Sequence, residues 1–414
     1  MLLILTSVFL FNEHLFWPGL AALVPVSGAA LIIASKRDKS AFTTSIVSQF
    51  LGKTSYSIYL WHWPVVVALY YLGLIAVPAA AMCGILLSII LGWISFVSIE
   101  NSTRRLNAHA NLLSTPIGIL LLSVAACAVS AWVFVEKGYP GRAPLAFDEL
   151  AKTLIMARSD NGWCFYSVDT DSGLQVGKGQ DCNIGYKGST TKGLLFGDSY
   201  AGQYDPFWDK IGKDVGVSIT SITTNWCFPS LEKTYSHPTH MMAQEQCLSN
   251  RRFVESHIDR YDFIILAGQW SDILSDGDFP EVERLVDEAS SKTKVLILMA
   301  APFKFDTNPR VVFESALFVG ARASLNSIGT KLDFPLHEAN ARVRGLAGRY
   351  RNAVYVTRDQ MFSINGALSP VDRLGIPYTF DGSHISIHGA LSAADNFMAT
   401  PQYQILKRTL LRSD

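Results

Sequence analysis

The run Gly193-Leu194-Leu195-Phe196-Gly197-Asp198-Ser199-Tyr200-Ala201 limits what this chain folds into more than any other stretch. A short apolar segment stops at Gly-Asp-Ser, and a helix-like pattern begins at once. A buried strand that ends this way delivers the next side chain, here the Ser199 hydroxyl, to the rim of an α/β sheet. Further apolar strand candidates follow at Val217–Ile222, Phe263–Ala267, Val295–Met299 and Ala353–Val356. Helical candidates alternate with them at Tyr204–Asp214, Gln244–Asp259, Glu281–Ser290 and Leu336–Tyr350. The last of these sets Leu336, Ala339, Val343, Leu346 and Tyr350 on one face, and a final helix is expected after His388. Short apolar strands alternating with helices predict a parallel sheet covered on both faces. The site of such a sheet lies beyond the carboxyl ends of its strands. Asp198-Ser199, Asn225-Trp226, Gly268-Gln269-Trp270 and Pro302-Phe303 are therefore expected to converge in one cleft.

An Asp-Ser pair before a helix is also an ordinary N-cap, so a nucleophilic reading of Ser199 needs a base and an orienting acid. Both stand in Phe380-Asp381-Gly382-Ser383-His384. A carboxylate three residues before a histidine aims an oxygen at Nδ1, fixes the tautomer and leaves Nε2 for the serine. His388 is the rival base, but it lacks a carboxylate three residues before it and is expected to open the last helix. Gly-Asp-Ser upstream and Asp-x-x-His before the last helix resemble the first and last blocks of the SGNH (GDSL-like) hydrolase family, over about 192–400. The resemblance implies Ser199 as nucleophile, His384 as general base and Asp381 as its partner. The middle blocks depart from that family: Ala267-Gly268-Gln269-Trp270 has no Gly-x-Asn, and Thr224-Asn225-Trp226-Cys227 has no glycine. Asn225 and Gln269 are the candidate oxyanion donors, where one lost donor typically costs about 10²–10³ in rate. Capping of strand ends is the plainer role for both. Trp226 and Trp270 are candidates for a platform under a sugar ring, or for packing. No Cys-x-x-Cys or paired histidines at ligand spacing point to a metal.

Upstream of Lys192 the composition changes. Of the whole chain 49% is apolar and 17% charged, against about 25% charged in a typical soluble protein, and the excess lies in 1–135. Four stretches, 15–34, 55–77, 79–99 and 117–135, qualify as transmembrane helices, which need roughly 20 mainly apolar residues. Lys36, Arg37, Lys39 and Lys53 in one loop, and Arg104 and Arg105 in another, predict cytoplasmic loops and place residue 136 onward outside the cytoplasm. A formal net charge of zero gives no footprint for nucleic acid. His62 lies within a span, where an ionisable group marks either function or a hydrogen-bonded packing position. The string Leu51-Gly52-Lys53-Thr54-Ser55-Tyr56-Ser57-Ile58-Tyr59-Leu60-Trp61-His62-Trp63-Pro64 resembles a signature of the acyltransferase-3 membrane family. Phe16-Trp17-Pro18-Gly19 to Ile33 and Ile99-Glu100-Asn101-Ser102-Thr103-Arg104 look like its neighbouring helices. The resemblance covers about 1–105 and only the second half of that family's membrane region. A missing or separately encoded N-terminal membrane half is the implied partner, with Met1 inside a helix of a truncated or remnant chain.

Residues 136–191 read as an extracytoplasmic linker between a partial membrane region, 1–135, and an SGNH-like domain, 192–414. Cys83 and Cys127 fall in apolar helices. Cys164, Cys182, Cys227 and Cys247 make an even set in a segment placed outside the cytoplasm, which predicts disulfides. Of three connectivities, Cys164–Cys182 with Cys227–Cys247 is the expected one. Together the resemblances imply an O-acyltransferase, most simply an O-acetyltransferase, at the bacterial inner membrane. It would carry acyl groups from acetyl-CoA, through an acyl-serine in the periplasm, to an envelope polysaccharide or its lipid-linked precursor, with no bound cofactor. A membrane-anchored carbohydrate esterase and a non-catalytic remnant or partner subunit are the alternatives.

Overall fold

The structure is a computed structural model that describes residues 2–11, 19–35, 40, 44–72, 74, 77–100, 116–136, 152–168, 176–233, 241–305, 308, 310 and 334–411. Residues 16–18, the basic positions 36, 37, 39, 104 and 105, and 137–151 of the expected linker lie outside them, so the orientation expectation does too. The chain divides into two units, one formed by the N-terminal helices and one by most of the remainder.

The N-terminal region is mostly helical, with α1 Leu2–Leu10, α2 Leu23–Ala34, α3 Ile46–Tyr71, α4 Pro78–Ser95 and α5 Pro116–Val135. A π-helical turn, Phe96–Glu100, prolongs α4. Four membrane spans were expected. Among the described residues one helix, Pro78–Glu100, is long and apolar enough to cross a membrane; Leu20–Ala34 and Leu120–Val135 are apolar but shorter. The expected span 55–77 belongs to a helix that begins earlier, at Ile46, and carries Ser48, Gln49, Lys53 and Thr54 in its first turns. Gly84, Ser88 and Gly92 are buried on α4 at four-residue spacing. Small residues at that interval let helices approach closely. A Cβ on Gly92 would sit 2.7 Å from the Ile58 backbone of α3. Ser57 Oγ–H donates to Glu100 Oε2 at 3.2 Å, so two segments noted in the sequence touch.

The second unit is an α/β fold on a six-stranded mixed sheet. Its strands are β1 Asn183–Gly185, β2 Lys192–Gly197, β3 Ser218–Thr223, β4 Phe263–Ala267, β5 Val295–Met299 and β6 Ala353–Val356, in the order β1-β3-β2-β4-β5-β6. β2 to β6 run parallel as expected. β1 corrects the all-parallel expectation, pairing antiparallel with β3 at the edge. It also corrects the expected boundary, because residues read as linker contribute a strand. Strand side chains alternate between faces: Leu195, Ile219, Ile265 and Ile297 enter one apolar layer, and Leu194, Phe196, Ile264 and Leu298 the other.

The first layer is closed by α7 Asp205–Val215, α13 Ile387–Met398 and α14 Pro401–Leu411. The second is closed by α8 Met241–His257, α10 Phe279–Lys292 and α11 Phe334–Ala347. Short helices α6 Ser199–Gly202, α9 Trp270–Ser275 and α12 Arg358–Met361, and a small hairpin of β7 Ser363–Ile364 with β8 Ala367–Leu368, complete the fold. The expected face of α11 holds: Leu336, Ala339, Val343 and Leu346 are buried and Tyr350 packs beside them.

Candidate active site

β2 ends at Gly197, whose φ is +154° and whose imagined Cβ would lie 1.9 Å from the Ala267 carbonyl oxygen of β4. Only glycine lets the two strand ends approach so closely. Asp198 then caps α6, its Oδ1 accepting the Tyr200 N–H at 2.7 Å. Its Oδ2 accepts the Gln269 N–H at 2.9 Å and so fastens the loop after β4. Burial pushes the Asp198 carboxyl up to about 6, against the two N–H donors and the charge of His384. The aspartate of Gly-Asp-Ser thus braces two strand ends, and Ser199 opens the helix.

Ser199 Oγ lies 2.9 Å from His384 Nε2, and His384 Nδ1 lies 2.7 Å from Asp381 Oδ2. The other Asp381 oxygen accepts the backbone N–H of Ser383 at 2.8 Å and of His384 at 2.6 Å. Burial raises the Asp381 pKa, but the hydrogen bond and charge of His384, with these N–H donors, prevail and hold it below the usual carboxylate range. An ionised Asp381 keeps the proton on Nδ1 and leaves Nε2 to accept from Ser199.

Two residues that sequence reasoning missed fix this loop to the serine helix. Tyr200 Oη lies 2.9 Å from Ser383 Oγ, and its ring packs 4.9 Å from the His384 ring. Gln203 is fully buried; it donates to the Tyr200 carbonyl at 3.1 Å and accepts the Ile385 N–H at 2.8 Å. Their spacing from Ser199, one and four residues along a helix, was the available signal.

The cleft around Ser199 and His384 has a volume of about 270 Å³. Asn225, Trp226 and Gln269 line it as expected. Asn225 Oδ1 accepts the Val168 N–H at 2.9 Å. Trp226 is 46% exposed with φ +54°. Trp270 is corrected: it is fully buried, and its Nε1–H donates to the Met299 carbonyl at 2.8 Å. That bond turns the ring into the core, away from any sugar. Phe303 is likewise a core residue.

One wall comes from the segment read as linker, with Met156, Arg158, Phe165 and Ser167 lining the cleft. Asp205 holds that wall. Its Oδ2 accepts the N–H of Cys164 and of Phe165 at 2.9 Å each, and its Oδ1 accepts Ser221 Oγ–H at 2.7 Å. Burial pushes the Asp205 carboxyl up to about 7 against these three donors. The cysteines pair in the expected connectivity, Cys164–Cys182 and Cys227–Cys247; the second bond pins the Asn225-Trp226 loop to α8.

His388 opens α13 as expected, yet it does have a carboxylate: Nε2 lies 2.7 Å from Asp372 Oδ2, sixteen residues upstream. His62 lies on α3, with Nδ1 2.5 Å from the Tyr59 carbonyl one turn earlier.

A serine, histidine and aspartate in series beyond a parallel sheet, with the serine at the first strand–helix turn, define the class of SGNH-type domains. The family described as SGNH domain (fused to AT3 domains) matches residues 163–399, more than half of the chain, and the chain belongs to that family. A protein of Komagataeibacter xylinus named as a membrane-bound transacylase, BcsY, is 40% identical over 78 residues. That match covers 19% of this chain and 20% of the relative, so the matched part spans about a fifth of the curated relative's length. The solved periplasmic domain of a lipopolysaccharide acetyltransferase of Salmonella serovar Paratyphi A is similar at a TM-score of 0.41 and 12% identity, over 57% of this chain and 90% of that one.

Proposed function

We propose that this chain transfers an acyl group, in the first instance acetyl, to a hydroxyl of a bacterial envelope polysaccharide through an ester on Ser199. The observation that carries the reading is the continuous Ser199–His384–Asp381 hydrogen-bond series at 2.9 and 2.7 Å. His384 Nε2 takes the Ser199 proton as Oγ attacks the acyl carbonyl carbon. The tetrahedral oxyanion is held by the Ser199 N–H, which the first turn of α6 leaves without an intrahelical acceptor, and by the Asn225 amide. Collapse expels the donor's leaving group, a thiol if the donor is a thioester, with the proton from His384. In the second half His384 deprotonates the acceptor hydroxyl, its oxygen attacks the acyl-serine, and collapse returns the proton to Ser199 Oγ.

Transfer rather than hydrolysis is supported by the family's described fusion to AT3 domains and by the transacylase name of the relative. Acetyl-CoA is the proposed donor, used by a membrane region to which residues 1–135 and His62 contribute, with a second membrane protein as the proposed partner. Two disulfides suit an oxidising, extracytoplasmic compartment, and the inner membrane with the SGNH domain in the periplasm is the proposed location. Intact-mass analysis of the chain incubated with p-nitrophenyl acetate, an activated ester that needs no membrane partner, should show one acetyl group, lost in Ser199→Ala at unchanged expression. Acylation that survives in Ser199→Ala would remove Ser199 from the reaction. Release of acetate from acetylated glycan without donor-dependent acylation would make the chain an esterase.

A further inference from the structure

Two cavities outside the catalytic cleft adjoin at Asp181 beside the β1 edge of the sheet, and together they are treated as one groove. The first, about 500 Å³, lies where β2 and β3 begin, the end of the sheet opposite Ser199, and is lined by polar side chains throughout. The second, about 620 Å³, lies over the Cys164–Cys182 bond. Asp181 lines both cavities. Phe253 of the second and His257 of the first stack face to face, with centroids 4.3 Å apart and planes 10° apart. The groove ends against the segment 164–167, whose residues alternate between two walls. Cys164 and Tyr166 face the groove, while Phe165 and Ser167 face the catalytic cleft.

Charge in the groove is one-sided. Lys178, Lys187, Lys192 and Arg260 line it as exposed side chains, and among the described residues none of the four is in an ion pair. Asp181 is the one carboxylate among the described lining residues. Cations gathered along one concave surface concentrate anions. Trp163, half-buried at the other end, adds a ring beside Lys178. Rings for sugar faces, hydroxyl and amide groups for sugar hydroxyls and unpaired cations for carboxylates form one chemical set. The polar lining of the first cavity offers nothing to a lipid chain.

We propose that this groove binds an acidic polysaccharide strand, a chain of sugars carrying carboxylate or phosphate groups, and leads it to the wall it shares with the catalytic cleft. Binding there does not require Ser199 chemistry, so a Ser199→Ala chain separates it from acyl transfer. The full Ser199→Ala chain in neutral-lipid nanodiscs is titrated by calorimetry with hexagalacturonate, maltohexaose and hexaglutamate. Hexagalacturonate should bind most tightly and weaken as salt rises. Replacing Lys187, Lys192 and Arg260 together by alanine should weaken it about tenfold, with the melting temperature unchanged. Equal binding of maltohexaose would overturn the role of charge. Equal binding of hexaglutamate would reduce the groove to an anion sink and overturn the saccharide assignment. Absent binding of hexagalacturonate, or binding unchanged in the triple variant, would overturn the proposal outright.

Discussion

The two oxygens of Asp381 do different work, and Asp381→Asn separates them. Oδ1 accepts two backbone N–H groups at 2.8 and 2.6 Å and shapes the loop; Oδ2 accepts from His384 Nδ1 at 2.7 Å and sets the tautomer. An asparagine keeps its carbonyl oxygen on the two N–H groups, so the loop should lose no more than about 1 kcal/mol. Its NH2 then faces Nδ1, and two donors cannot share that line. The imidazole proton moves to Nε2, which now donates to Ser199 Oγ and can no longer take its proton. The same tautomer error in serine proteases costs about 10⁴ in rate, or about 5.5 kcal/mol of transition-state stabilisation. The assay is the rate at which a fluorophosphonate labels Ser199 in the full chain, run beside a melting curve. Asp381→Ala should lose the rate and also melt lower, because it removes both functions. A rate for Asp381→Asn within about tenfold of native, at native stability, would refute tautomer control by Asp381.

Other perturbations have equally definite outcomes. Asp205 binds its proton more tightly folded, at about 7, than at its ordinary value of 3.8; the stability this contributes is complete below 3.8 and is lost as pH rises through 7. Asp205→Asn keeps an acceptor for Cys164 and Phe165 and should therefore abolish about 2 kcal/mol of the fall in stability between pH 5 and 7, read by calorimetry at both pH values; an unchanged fall would place its source elsewhere. Gln203→Ala cuts the tie between the Tyr200 carbonyl and the Ile385 N–H. It should slow Ser199 labelling about tenfold by loosening His384, whereas a purely structural role would lower the melting temperature alone. Removing the Cys227–Cys247 bond, which closes a separation of 20 residues, should cost about 3 kcal/mol, seen as a melting temperature lower by about 6–12 °C.

β2, β4, β5 and β6 were legible because each is a short, mainly apolar run, and strand alternation sorts Leu194 and Leu195 onto opposite layers. β1 was not, since three residues paired at an edge leave no periodic trace. The wall formed by 152–168 was hidden for a related reason: its hold on the sheet comes from Asp205, some forty residues on, and local polarity reads as linker. Trp270 shows a different limit. Its place just after a strand was legible, but the direction of its ring depends on the Met299 carbonyl on a neighbouring strand. The His384 loop was the opposite case, with acid and base three residues apart and their geometry local.

The chain carries two histidine–carboxylate pairs, and their hydrogen bonds assign them different work. Asp372 is saturated: it accepts from the Leu374 and Ile376 N–H groups, from Ser392 Oγ and from His388 Nε2. Burial raises its pKa, but those donors prevail and hold it low. The His388 backbone N–H donates to the Thr153 carbonyl at 3.0 Å. The pair therefore latches the 369–377 loop and residue 153 onto the start of α13, directly behind the His384 loop. His384 uses Nδ1 for its carboxylate and turns Nε2 to Ser199 Oγ. A histidine next to an acid is thus no sign of a base by itself; what sets His384 apart is that its other ring nitrogen, Nε2, meets Ser199 Oγ at 2.9 Å. Here Asp372 with His388 gives the loop its fixed anchor, and Asp381 with His384 gives it the end that meets Ser199.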